Sequence, residues 1–161
     1  MKKLLYSFIL LLSATRAYST SHTVSNAAWL PAQFATVQEA INAASTGDTI
    51  LISATGLDYV NSICDKQLYF FSAGGLLGEI PKVYITLANS NASGSWFEGL
   101  SGSLTTATGN VNTDINNVTV RRCRYTAIWI ETTTAADDGR NDAYNWVIEG
   151  CVFTNDFRSE E

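Results

Sequence analysis

"NVTVRRCRY", residues 117–125, and "NWVIEGCVF", residues 145–153, are two copies of one pattern displaced by 28 residues. Asn117 falls on Asn145, Val120 on Ile148, Cys123 on Cys151 and Tyr125 on Phe153. Segments with the same alternation and the same leading asparagine trace the same path, so the second copy predicts a coil laid on the first. Parallel strands of neighbouring coils run ~4.8 Å apart, which rests each inward side chain on its counterpart. The expected stack sets Val118, Val120, Cys123 and Tyr125 against Trp146, Ile148, Cys151 and Phe153, with Arg121 beside Glu149 on the solvated face.

Working back from the repeat, further apolar and β-branched runs bounded by turn residues read as strands: "TILIS" (49–53), "QLYFFS" (67–72) and "KVYITLA" (82–88). The strand carrying the first copy extends through "TAIWI" to residue 130. A single helical period precedes them all. Val37, Ala40, Ile41 and Ala44 share one face, Thr36 caps the start with Glu39 three residues on, and Gly47 ends it. No second helical period follows Ala44, which argues against alternating βαβ units and for an all-β fold.

The first residues carry a different message. Lys2 and Lys3, the apolar run Leu4–Leu12 and the small residues before Ala17 or Ser19 read as a secretory signal, cut after one of those two. The run is shorter than the ~20 residues that span a bilayer, so the expected product is secreted or held at the cell surface with no membrane span. The chain has 10 Lys and Arg against 15 Asp and Glu, a net charge of −5. Losing Lys2, Lys3 and Arg16 with the signal takes this to about −8, a surface that repels phosphate backbones and argues against nucleic acid. Three cysteines and one histidine, His22, leave no basis for a zinc site or for histidine-based catalysis in the body of the domain.

The opening of the domain resembles a known family. "FATVQEAINAASTGDTILIS" (34–53), then "GLDYV" (56–60) and "DKQLYFFSAGG" (65–75), is similar to the N-terminal end of right-handed parallel β-helix proteins of the pectin-lyase-like type, in which a lysine precedes the next strand. The likeness is specific from Ala35 to Ile52, fair to Gly75 and weak between Ala88 and Asn116. It implies a right-handed parallel β-helix, or solenoid, with a short capping helix laid over its first coil. The expected layout is a signal peptide over 1–19, a linker or N-terminal segment over 20–33, and a β-helix domain over 34–161. The helix is expected at about 36–45, with rungs after 48. Because "VFTNDFRSEE" (152–161) follows a strand without a second cap, the domain is read as incomplete at its C-terminus.

The family's catalytic motifs do not carry over. Tyr59 is followed by Val60 and Asn61 where the methylesterases of this fold place a glutamate, their paired aspartates are absent, and the polygalacturonase histidine has no counterpart. Pectate lyases use clustered aspartates for calcium and an arginine as base. Only "ETTTAADDGRNDAYN" (131–145) offers such a set: Asp137, Asp138 and Asp142 as oxygen ligands for calcium, and Asp137, Asp138 and Arg140 as catalytic candidates. The same segment also reads as an acidic, solvated loop.

Trp129 lies between Ile128 and Ile130, so strand alternation sends its ring outward, where a flat indole suits stacking on a sugar. Trp96 and Phe97 are expected to offer a similar surface from a Ser/Gly/Thr-rich loop at 89–110. Cys123 and Cys151 read as buried small hydrophobes or as a disulfide. "GGLLG" (74–78) reads as a turn, and Asn91 and Asn117 head glycosylation sequons. The function expected is that of an exported β-helix protein that binds or processes polysaccharide or cell-surface glycan. As an enzyme it would be a lyase or a glycoside hydrolase, with calcium as the candidate cofactor. The alternative is a non-catalytic adhesin or structural solenoid.

Overall fold

A computed structural model describes residues 19–75, 78–107, 114–130 and 144–154. The strands are β1 (Ser21–Val24), β2 (Thr49–Ala54), β3 (Ser62–Cys64), β4 (Tyr69–Gly75), β5 (Lys82–Leu87), β6 (Trp96–Glu98), β7 (Ser101–Thr106), β8 (Thr119–Arg121), β9 (Arg124–Trp129), β10 (Val147–Glu149) and β11 (Val152–Phe153). A helix, α1 (Val37–Ala43), precedes β2. From β2 onward, successive strands alternate between two sheets, β1 joining β2 in the first of them. Sheet A has the order β1-β2-β4-β6-β8-β10 and sheet B the order β11-β9-β7-β5-β3, and every pairing is parallel. This is a parallel β-solenoid with one short helix, in which each coil contributes one strand to each sheet.

The repeat holds to the residue. Ile148 pairs with Val120, Glu149 with Arg121 and Phe153 with Tyr125. Asn117 and Asn145 both adopt φ of 58°, the left-handed region that asparagine tolerates, and the Asn145 amide donates to Asn117 Oδ1 at 3.2 Å. Arg121 and Glu149 make the expected outer ion pair at 2.9 Å. Inside, Val118, Val120, Cys123 and Tyr125 are buried and continue the core formed by Ile50, Ile52, Phe70 and Phe97. Cys64, Cys123 and Cys151 are free thiols, so the disulfide reading of the last two is not realised. Burial pushes the Cys64 thiol up to about 11, which keeps it protonated and inert at neutral pH.

The stretch 89–110 departs from expectation. It contains a full rung, β6 and β7, rather than a loop. Phe97 is fully buried and stacks on Phe70 with ring centroids 4.9 Å apart and planes 3° apart. In β7, Gly102, Leu104 and Thr106 point inward while Ser101, Ser103 and Thr105 face solvent. Hydroxyls on the wet side and a glycine on the dry side disguise a strand as a loop. Gly102 is glycine for a reason: its φ is +107°, and a Cβ there would lie 1.9 Å from Val83 O.

In the last three coils, sheet A passes to sheet B through a two-residue corner whose first residue is left-handed. These residues are Gly99 (69°), Arg122 (51°) and Gly150 (63°). The return paths from sheet B to sheet A are longer and unequal, and between β2 and β3 the corner itself spans 55–61.

The N-terminal end of the stack is closed. Val37, Ala40, Ile41 and Ala44 are buried over the first coil, and Thr36 and Glu39 form the capping box with bonds of 3.2 Å and 3.1 Å. The outer edge of β3 would otherwise expose main-chain groups, as every edge strand does. Gln38 satisfies them: its Oε1 accepts from Ile63 N at 2.7 Å and its Nε2 donates to Ile63 O at 3.2 Å. At the edge of β1, Gln33 Oε1 accepts from Thr23 N at 2.9 Å. Lys66 donates to Ile41 O and Ala44 O, both at 3.2 Å, neutralising carbonyls at the end of α1.

Candidate functional site

Side chains alternate across a strand, so sheet B presents every second residue to solvent. Register then sets these residues in rows across the strands. One row runs Ile63, Thr86, Thr105, Trp129 through β3, β5, β7 and β9. A second runs Tyr84, Ser103, Ala127, and a third Lys82, Ser101, Arg124. The face is therefore a lattice of hydroxyls with exposed apolar side chains at its borders. Thr86 Oγ1 and Thr105 Oγ1 are 3.0 Å apart, Ile63 is exposed, and Trp129 keeps 43% of its surface in solvent.

A wall rises beside this face. Residues 55–61 bulge from the corner between β2 and β3, anchored by Tyr59, which is buried, donates from its hydroxyl to Ser53 O at 2.8 Å and from its N–H to Lys82 O at 2.9 Å. Asn26 donates to Asp58 O at 3.2 Å from the other side. Together the wall and the sheet border a shallow, open groove of about 530 Å³, lined by Asp58, Tyr59, Val60 and Asn61 on one side and Tyr84, Thr86, Ser103 and Thr105 on the other.

Asp58 is the one charged residue in that lining. Its Oδ2 accepts from Lys82 Nζ at 2.6 Å and from the Tyr84 hydroxyl at 3.1 Å. The Lys82 hydrogen bond holds the Asp58 carboxyl below its ordinary range, helped by Tyr84 against a smaller opposing effect of burial. Asp58 in turn raises Lys82. Both groups stay charged at neutral pH and cancel one another. Lys82 also lies 5.7 Å from the Tyr84 ring centroid, which fixes that ring at the groove.

The structure separates the two tryptophans read as sugar contacts. Trp129 is on the outer face of sheet B, as alternation requires. Trp96 is on sheet A, half-buried in β6, where its Nε1 donates to Glu98 Oε2 at 2.9 Å and the Arg121 guanidinium lies 5.6 Å from its ring. No single ligand on one face reaches both. Asp137, Asp138, Arg140 and Asp142, and with them the calcium reading, lie outside the described residues. The groove residues Asp58, Tyr84, Thr86, Ser103 and Thr105, and Lys82 beside them, were missed by sequence reasoning, because rows across strands appear only once the register is known.

The lone histidine has a structural post. His22 Nε2 lies 3.1 Å from Asp48 Oδ2, and Asp48 also accepts from Thr20 N and Ser45 N at 2.8 Å each. One carboxylate thus ties β1, the exit of α1 and the start of β2 together. No family model, curated protein or solved structure matches the chain.

Proposed function

We propose that the chain is an exported right-handed β-helix protein of the pectin-lyase-like type that binds polysaccharide on the outer face of sheet B. The leader-like residues 1–19 support export, and the capped opening with Lys66 against α1 supports the family. The observation that carries the binding reading is the row Ile63, Thr86, Thr105, Trp129 beside the walled groove. A sugar chain offers hydroxyls along its edges and apolar patches on its ring faces. Hydroxyl pairs serve the first, and the exposed Trp129 ring with the half-buried Tyr84 ring serves the second.

Affinity electrophoresis of the purified protein in gels cast with a panel of neutral and acidic polysaccharides tests the reading. Retardation in at least one gel, reduced by Trp129→Ala, is expected. Uniform mobility across the panel, with and without calcium, would end it. Replacing Asp137, Asp138 and Arg140 together then separates turnover from binding: product release, if present, should vanish while retardation persists.

A further inference from the structure

We infer that the polymer taken by the sheet B groove is an uncharged polyhydroxylated chain, with Asp58 as the hydrogen-bond acceptor for its hydroxyls. The inference rests on the polysaccharide reading and narrows it. The groove lining holds four hydroxyl-bearing residues on the strands, Tyr84, Thr86, Ser103 and Thr105, one amide, Asn61, and a single charge, Asp58. That charge is negative. Its Lys82 partner, 2.6 Å away, stands outside that lining, so none of the lining residues is a cation that could receive a ligand carboxylate.

An ionised Asp58 is a strong acceptor for a sugar hydroxyl and a poor neighbour for a uronate. Both protein donors fall on Oδ2, which among the described residues leaves Oδ1 for a ligand O–H. Lys82 acts as a positioning residue: by compensating Asp58 it permits an ionised carboxylate in a groove that a ligand would dehydrate. Arg124 is the cation on this face that weighs the other way. It stands on the row of Lys82 and Ser101, outside the rows that line the groove, and Glu79 lines the adjoining hollow beside Lys82. The chain's charge of −5 adds a general repulsion toward polyanions.

Matched polymers make the test. Hydroxyethyl cellulose and carboxymethyl cellulose share a backbone and differ in charge, and galactomannan and polygalacturonate repeat the contrast on other backbones. The full chain is run by affinity electrophoresis at pH 7 in low salt, without calcium. Retardation by a neutral polymer, at least tenfold tighter than by its anionic match, is expected. Asp58→Asn should weaken neutral binding ~10-fold, the effect of one charge-assisted hydrogen bond, and narrow the neutral-to-anionic ratio. Tyr84→Phe, which keeps the ring and removes one donor to Asp58, reports on the groove without disturbing packing and should weaken neutral binding less than Asp58→Asn does. Equal or preferential binding of the anionic member overturns the inference while the polysaccharide reading stands, as does an Asp58→Asn variant with unchanged neutral affinity. If no polymer retards the protein, both fall.

Discussion

Gln38 holds Ile63 by both ends of its amide, at 2.7 Å and 3.2 Å, and so stands in for the neighbouring strand that β3 lacks. A helix cannot pair with a sheet edge through its own main chain, whose groups are spent internally. A glutamine can, because its primary amide sets an acceptor oxygen and an N–H donor side by side on one edge.

Removing that amide should therefore have two effects. Gln38→Ala is expected to cost about 1 to 2 kcal/mol, measured as a lower urea midpoint. The bared edge should also raise self-association, read by light scattering as a function of concentration. Gln38→Glu keeps the length but sets a carboxylate against Ile63 O, and it should be at least as damaging at neutral pH.

Gly102→Ala tests the closest backbone approach in the solenoid. The added methyl meets Val83 O, a main-chain atom in the centre of sheet B, at a φ of +107° that side chains resist. A loss of roughly 3 kcal/mol or more is expected. A variant that melts within a degree or two of the parent would show that β5 and β7 separate easily there.

Tyr125→Phe points the other way. The Tyr125 hydroxyl is fully buried and, among the described residues, makes no hydrogen bond of good geometry, with only the weakly polar Cys123 thiol interacting with it; burial pushes its pKa well up. Deleting an unsatisfied buried hydroxyl removes a desolvation cost, so the variant should match or exceed the parent by up to about 1 kcal/mol in thermal unfolding.

Asp48 sets the acid limit. Burial alone would raise its carboxyl, but the N–H groups of Thr20 and Ser45 and the His22 ring outweigh it and hold it below 3.8. A carboxyl depressed on folding contributes stability that is present above its unfolded value and is lost as pH falls through the folded one. Stability should therefore decline as pH falls below about 4, with β1 the first element exposed to protease. Asp48→Asn should be weaker at neutral pH and show a shallower decline in acid.

Much of the architecture could be read from local pattern. The capping helix, its Thr36 and Glu39 cap, the strands at 49–54, 69–75 and 82–87, and the 28-residue register all follow from alternation and from repeated residues. Four strands hid for different reasons. β1, four residues long, lies in the polar stretch 20–33 read as a linker and pairs in parallel with β2. β3 has three residues, too few to show alternation, and β7 presents hydroxyls outward and a glycine inward. β6 is a third copy of the repeat: "WFEGLSG" (96–102) lies on "TVRRCRY" (119–125) and "VIEGCVF" (147–153), but its offset from the middle copy is 23 residues rather than 28. A search at one fixed period passes over it. The site was less legible still. Trp129 was reachable by alternation, whereas the meeting of Asp58 with Lys82 and Tyr84 depends on a corner loop folding back over a strand more than twenty residues away.

The unequal offsets bear on how such a chain can change. Where the corner from sheet A to sheet B is two residues with a left-handed first member, a third residue would rotate the next strand off its register, and every layer beyond would be misplaced. The return side carries no such constraint, since paths of different length already deliver their strands to the same rows. In the last three coils, insertions and deletions should therefore accumulate on the return flank, which makes that flank the place there to graft a foreign loop and leave the stack as it is.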